Sequence, residues 1–210
     1  MTNRTKVVLA THNAHKVEEF QRMLGAALPW LQIVGYDGPE PVEDGVTFAE
    51  NALIKARAAA AHSGLPALAD DSGICVDVLG GAPGIFSARW AGRHGDAQAN
   101  LGLLLAQLSD VRQEHRGAHF NATIALVVPR QDAPAAETVV EGIWPGSIAS
   151  GARGENGFGY DPIFIPDGAE LTSAELSADE KNRMSHRARA LAEIIPALSS
   201  LVGRDSDAYR

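Results

Sequence analysis

The run VVLATHNAHKVEEFQRML, residues 7–24, decides the fold. Val7, Val8, Leu9 and Ala10 are continuously apolar, the pattern of a short strand buried on both faces. Asn13 is placed to cap a helix, and Val17, Phe20 and Leu24 then recur three and four apart on one stripe. Strand, loop and helix in that order open an α/β protein. Outward from this unit, residues 33–36 read as a second strand, ended by Gly38-Pro39. Thr47 and Glu50 form a capping-box pattern before an Ala-rich helix that Gly64 stops. Residues 65–69 read as a strand ending in Asp70-Asp71-Ser72-Gly73, and residues 80–90 as a Gly-rich loop. Residues 96–108 are helical, with Leu101, Leu104, Leu105 and Leu108 on one stripe.

Next comes a strand-rich section: residues 120–128, residues 138–148 with a break at Pro145-Gly146, and residues 158–165. A second capping box, Ser177 to Glu180, opens a closing helix whose stripe is Met184, Ala188, Leu191, Ile195 and Leu198. Strands alternate with helices and then cluster, so the expected class is α/β with a mixed sheet. Neither repeat nor linker interrupts the chain, and a single domain over residues 1–210 is expected.

Composition limits the function classes. The 210 residues carry 26 acidic and 18 basic side chains, a net charge of −8. That balance disfavours binding to a nucleic-acid backbone or an anionic membrane surface, both of which need clustered Lys and Arg. A hydrophobic share of 45% against 21% charged marks a globular chain. Cys75 is the single cysteine, so no intramolecular disulfide forms, and its apolar setting reads as a buried thiol. The apolar run before Thr11 is too short for a signal-peptide core, and no stretch approaches the roughly 20 apolar residues of a membrane span. A cytoplasmic protein is expected.

Four constellations could carry chemistry. Thr11, His12, Asn13, Ala14, His15 and Lys16 lie where a strand tip enters a helix N-terminus, a place that offers backbone N–H groups to a phosphate. A plain strand–helix connection capped by Asn13 explains them as well. Lys16 in the first turn opposes the helix dipole unless something negative sits beside it. Asp70 and Asp71 repel each other unless a hard cation such as Mg²⁺ lies between or beside them; an acidic turn is the simpler alternative. Glu43 could add an oxygen ligand, whereas Glu50 is accounted for by its capping box. Phe158, flanked by Gly157 and Gly159, could present its ring to a planar ligand, with Asp161 reading a donor on it; a turn with two core aromatics, Phe158 and Tyr160, is the alternative. Lys181, His186 and Arg187 could meet one ligand if the helix begins afresh at Ser185, a good N-cap; otherwise they form a solvated basic face.

The order of these motifs resembles the inosine/xanthosine triphosphate pyrophosphatase family. The resemblance rests on ATHNAHKVEEF, TFAENALIKARAAA, ALADDSGICVDVLGGAPGIFSARWAG, GFGYDPIFIP and AELSADEKNRMSHRARAL, and spans residues 7–191. His12 and His15 stand where typical members often carry Gly. The resemblance implies a long mixed sheet with flanking helices and two lobes around a central active-site cleft, a homodimer, and Mg²⁺. It implies that Thr11 to Lys16 hold a triphosphate, and that Asp71 is the general base or a ligand to the metal that activates water. Glu43 would be a second metal ligand and Ser72 a substrate contact. Phe158 would stack on the base, with Gly159, Tyr160 and Asp161 completing that wall. Lys181, His186 and Arg187 would bind base and phosphate. The implied reaction converts a non-standard purine nucleoside triphosphate to the monophosphate and pyrophosphate.

Three other readings compete. A relative of similar fold would act on dTTP, UTP or modified pyrimidine nucleotides. A sensor would bind nucleotide without turnover. A phospho-aspartate phosphatase needs two aspartates one residue apart, whereas Asp70 and Asp71 are adjacent.

Overall fold

A computed structural model describes residues 4–201. The first half of the chain gives β1 (Thr5–Leu9), α1 (Ala14–Gly25), β2 (Leu31–Gly35), α2 (Phe48–Ser63) and β3 (Ala67–Val76). Then follow α3 (Ala97–Gln107), β4 (Gly117–Val128), β5 (Ala136–Ile148), β6 (Phe164–Pro166), α4 (Ala178–Met184) and α5 (His186–Ser199). Six strands make one sheet in the order β2-β1-β3-β4-β5-β6. β1 runs parallel to β2 and β3, while β5 runs antiparallel to β6, so the sheet is mixed as the element order implied.

The chain divides into two compact units. One holds the described residues up to Asp71, Thr123–Glu141 and those from Ala190 onward; the other holds Ser72–Ala122 and Gly142–Arg189. In the first unit, Ala52, Ala56, Ala59 and Ala60 of α2 share a core with Val8, Ala125 and Val127. Small side chains on that helix face let it lie close to its strands. In the second unit the core is aromatic. Phe120, Trp144 and Phe164 pack with Leu101 and Leu104 of α3 and with Leu108 at its C-cap, and Phe120 meets Phe164 edge-on at 4.7 Å.

Five local expectations are corrected. Residues 158–165 are not a strand: a turn leads into a 3₁₀ turn at Asp161–Ile163, and β6 begins only at Phe164. Asp70 to Gly73 do not end a strand but lie inside β3, which runs on to Val76. Residues 80–90 are not an open loop: a 3₁₀ turn spans Gly84–Arg89, held by the buried Ser87 hydroxyl, which accepts from Ile74 N–H at 2.9 Å and donates to Gly84 C=O at 2.6 Å. Pro145-Gly146 does not break β5, because Gly146 pairs with Pro166 where a Cβ would strike the Ile165 carbonyl. Met184 is exposed, and the closing stripe is Leu191, Ile194 and Leu198, because the restart at His186 resets the helical phase.

Arg116 anchors the second unit. Its buried guanidinium donates to the carbonyls of Val111 at 2.9 Å, Ala149 at 3.1 Å and Leu108 at 2.7 Å. Arg116→Ala leaves three carbonyls without that donor and should lower unfolding free energy by about 3 kcal/mol. A urea midpoint unchanged from the parent protein would show that water replaces the guanidinium without loss.

Candidate active site

The candidate residues lie in both units: Thr11 to Lys16, Glu43 and Asp71 in the first, and Ser72, Phe158 to Asp161, Lys181, His186 and Arg187 in the second. In the first, β1 hands the chain to α1 through Thr11, His12 and Asn13. Asn13 caps the helix, its side-chain oxygen accepting from His15 N–H at 3.0 Å and Lys16 N–H at 3.4 Å. Thr11 Oγ1 accepts from Asn13 N–H at 3.2 Å, which folds the turn tightly. Among the described residues, the N–H groups of His12 and Ala14 have no acceptor. The first turn of α1 contains no acidic residue. Its Lys16 instead reaches Asp70, with Nζ 3.1 Å from Oδ2. The negative partner that the helix dipole required is thus part of the chain.

Asp70 and Asp71 are separated by the strand that carries them. Consecutive side chains of extended backbone point to opposite faces. Asp70 accordingly goes to Lys16, and Asp71 goes to Lys55 of α2, whose Nζ lies 3.1 Å from Asp71 Oδ1. Glu43 Oε2 approaches the same ammonium at 3.4 Å. No cation between the two aspartates is needed to hold them together. Burial pushes the Asp71 carboxyl above its usual range, and Glu43 and Asp70 push the same way against the pull of Lys55. Burial works to lower Lys55, but Asp71, Glu43 and Asp70 outweigh it and hold its ammonium charged.

Asp71 Oδ2 is buried and has no hydrogen-bond partner among the described residues. An orphaned carboxylate oxygen beside a second carboxylate suits a hard cation that takes its other oxygens from water and phosphate. Among the described residues no group of three or more His, Cys, Asp or Glu side chains gathers to hold a metal ion, so the protein donors offered are the two carboxylates of Asp71 and Glu43. Glu50, as expected, is structural, although its carboxylate caps Val46 N–H at 2.7 Å rather than closing the box on Thr47.

The second cluster is built around Asp161, which is buried. Its carboxylate accepts from Phe158 N–H at 2.7 Å, from Ser173 Oγ at 2.8 Å and from Lys181 Nζ. A Cβ on Gly157 would overlap that carboxylate, and Gly157 has φ +76°, so only glycine fits this turn. Asp161 therefore spends its oxygens on the loop itself and holds Phe158 and Lys181 in place. Phe158 is 69% exposed, with Lys181 Nζ 5.4 Å from its ring centre. Tyr160 points the other way: its buried hydroxyl donates to Ser87 C=O at 2.9 Å, and burial pushes its proton loss far up.

Ser185 ends α4 with ψ at 161° and its hydroxyl accepts from Ala188 N–H at 3.3 Å, so α5 begins afresh at His186. The restart buries both His186 and Arg187. His186 stacks on Phe120 at 4.8 Å between centroids and lies nearly parallel to Trp144 at 6.4 Å. Ser72 lies in β3 directly after Asp71. Lys55 was missed from sequence. Its signal was position: it shares a helical face with the buried Asn51, Ala52, Ala56 and Ala59, and a cation there needs an anionic partner.

Fold and clusters together define a mixed-sheet α/β protein in which carboxylates inside strand β3 pair with lysines of α1 and α2. The chain belongs to the Ham1 family, whose model matches residues 7–197. It is 67% identical to the dITP/XTP pyrophosphatase of Leifsonia xyli subsp. xyli, over 93% of this chain and 96% of that protein. Identity to the dITP/XTP pyrophosphatase of Streptomyces avermitilis is 55%, over 95% of this chain and all of that one. Among solved structures, the nucleoside-triphosphatase / dITP/XTP pyrophosphatase of Mycobacterium abscessus is similar with a TM-score of 0.76 and 49% identity, over 91% of this chain and 100% of that one. A HAM1 protein from Coxiella burnetii is similar with a TM-score of 0.84 and 41% identity, over 93% of this chain and 99% of that one. Among the described residues, no helix is long and apolar enough to cross a membrane.

Proposed function

We propose that this chain is a dITP/XTP pyrophosphatase, one domain over residues 1–210 that acts in the cytoplasm as a homodimer with Mg²⁺. It hydrolyses ITP, dITP and XTP to the nucleoside monophosphate and pyrophosphate. The observation that carries this reading is the meeting of Asp71 and Glu43 at Lys55, with Asp71 Oδ2 left over. Support also comes from the relatives' names and their coverage of nearly the whole chain.

Each residue has a physical role in this reading. The turn from Thr11 to Lys16 holds the triphosphate through the N–H groups of His12 and Ala14 and the helix dipole, with Asn13 and His15 shaping the turn. Lys16 and Lys55 offset phosphate charge. Asp71 and Glu43 hold Mg²⁺, which when bound withdraws charge from the phosphate oxygens. Asp71 orients a water and takes its proton as it attacks the α-phosphorus. Ser72 contacts the substrate beside it. Phe158 stacks on the purine with Gly159 beside it, on a loop that Asp161 holds through Phe158 N–H and that Tyr160 ties down through Ser87 C=O. Lys181, His186 and Arg187 present donors to the base and phosphate. Inosine and xanthosine carry an acceptor at position 6 where adenine carries a donor, so donors here favour the former and reject ATP by up to about 10⁴-fold.

The test is a panel of ITP, dITP, XTP, ATP, GTP and dTTP with Mg²⁺, ranked by kcat/KM. ITP, dITP and XTP should lead. Preference for dTTP would move the protein to the pyrimidine reading. Phe158→Ala should raise KM for ITP by about 10- to 100-fold through lost stacking, with a smaller change in kcat. An unchanged KM would mean that the base lies elsewhere.

A further inference from the structure

We propose that His12 is a positioning residue, a side-chain clamp that fixes the phosphate-binding turn. The proposal rests on the pyrophosphatase reading for what the turn holds. Its Nδ1 lies 3.0 Å from Glu40 Oε1 and its Nε2 lies 2.9 Å from Gly38 C=O. Both partners are acceptors. A neutral imidazole has one N–H and satisfies one of them; an imidazolium satisfies both. The His12 ring is therefore committed to the chain and not to the substrate.

The receiving side is rigid. His12 lies flat on Tyr36, at 5.6 Å and 10° between planes. The Tyr36 hydroxyl donates to Pro39 C=O at 2.9 Å. A Cβ on Gly38 would strike the Tyr36 ring, so only glycine allows this close fit, which aims the Gly38 carbonyl at the imidazole. His62 meets the same tyrosine edge-on at 5.5 Å, and its Nε2 lies 3.1 Å from Asp37 Oδ1. The titratable groups around the clamp are thus Glu40 and Tyr36 on the receiving segment, with His62 and Asp37 behind Tyr36. His15 and Lys16 follow on its own side.

The ring ties the turn between β1 and α1 to the segment that leads, three residues after Glu40, to Glu43.

The test compares the parent protein with His12→Asn and Glu40→Gln, each confirmed as folded by its melting curve. Binding of inorganic triphosphate with Mg²⁺ is measured by calorimetry. The parent should bind about tenfold more tightly than His12→Asn, and Glu40→Gln should show a smaller loss. KM for ITP should rise by the same ratio, with kcat changed less. Triphosphate binding by His12→Asn equal to the parent's would overturn the clamp, and a loss confined to kcat would put the ring on the reacting phosphate and overturn it too. The binding readout needs no turnover. Weaker binding by His12→Asn in a protein that releases no pyrophosphate sinks the enzyme reading and supports the clamp. Absence of triphosphate binding overturns both.

Discussion

Asp71→Asn is expected to cut kcat for ITP by about 10³-fold or more, since in the proposed reading it removes the general base and a metal ligand together. The substitution keeps the size of the side chain, and an amide oxygen can still accept from Lys55. Burial pushes the Asp71 carboxyl up, so its ionised form is held at a cost to the fold. A neutral amide removes that cost while depriving Lys55 of one of two anionic partners. The melting temperature should consequently shift by no more than about 4 °C. The turn at Thr11 to Lys16 and the Phe158 loop are untouched, and much of the nucleotide affinity should remain. Near-normal turnover would remove Asp71 from its role.

Lys55→Met should have the second largest effect. The ammonium is 14% exposed and meets both Asp71 and Glu43. Without it, two carboxylates face each other with no cation, and unfolding free energy should fall by about 3 kcal/mol. Turnover should fall by about 10²-fold, because in the proposed reading the same ammonium compensates charge on the triphosphate. Mg²⁺ should raise the melting temperature of this variant more than that of the parent, since the cation restores positive charge between the carboxylates. Equal shifts in the two proteins would place the metal away from Glu43 and Asp71.

Local chemistry made much of this site readable in the sequence. Asn13 caps α1, Ser177 and Glu180 close a full capping box, and Ser185 restarts the chain at His186. Each is decided within four residues. What stayed hidden depends on partners far along the chain. Asp161 read as a free acceptor because Ser173 and Lys181, which occupy it, lie 12 and 20 residues on. Lys55 read as an ordinary lysine of an Ala-rich helix, because its partners Glu43 and Asp71 come from either side of that helix. Asp70 and Asp71 read as a repelling pair at a strand end. The strand in fact continues, and its alternation sends each to its own lysine. Sequence spacing shows which side chains share an element, while charge pairing between elements needs the fold.

The most direct measurement of the central claim is product identity in a single turnover of ITP with Mg²⁺. Asp71-directed attack at the α-phosphorus predicts IMP and pyrophosphate in equal amounts, with no orthophosphate. Release of orthophosphate and IDP, or tight binding of ITP with no product, would contradict it.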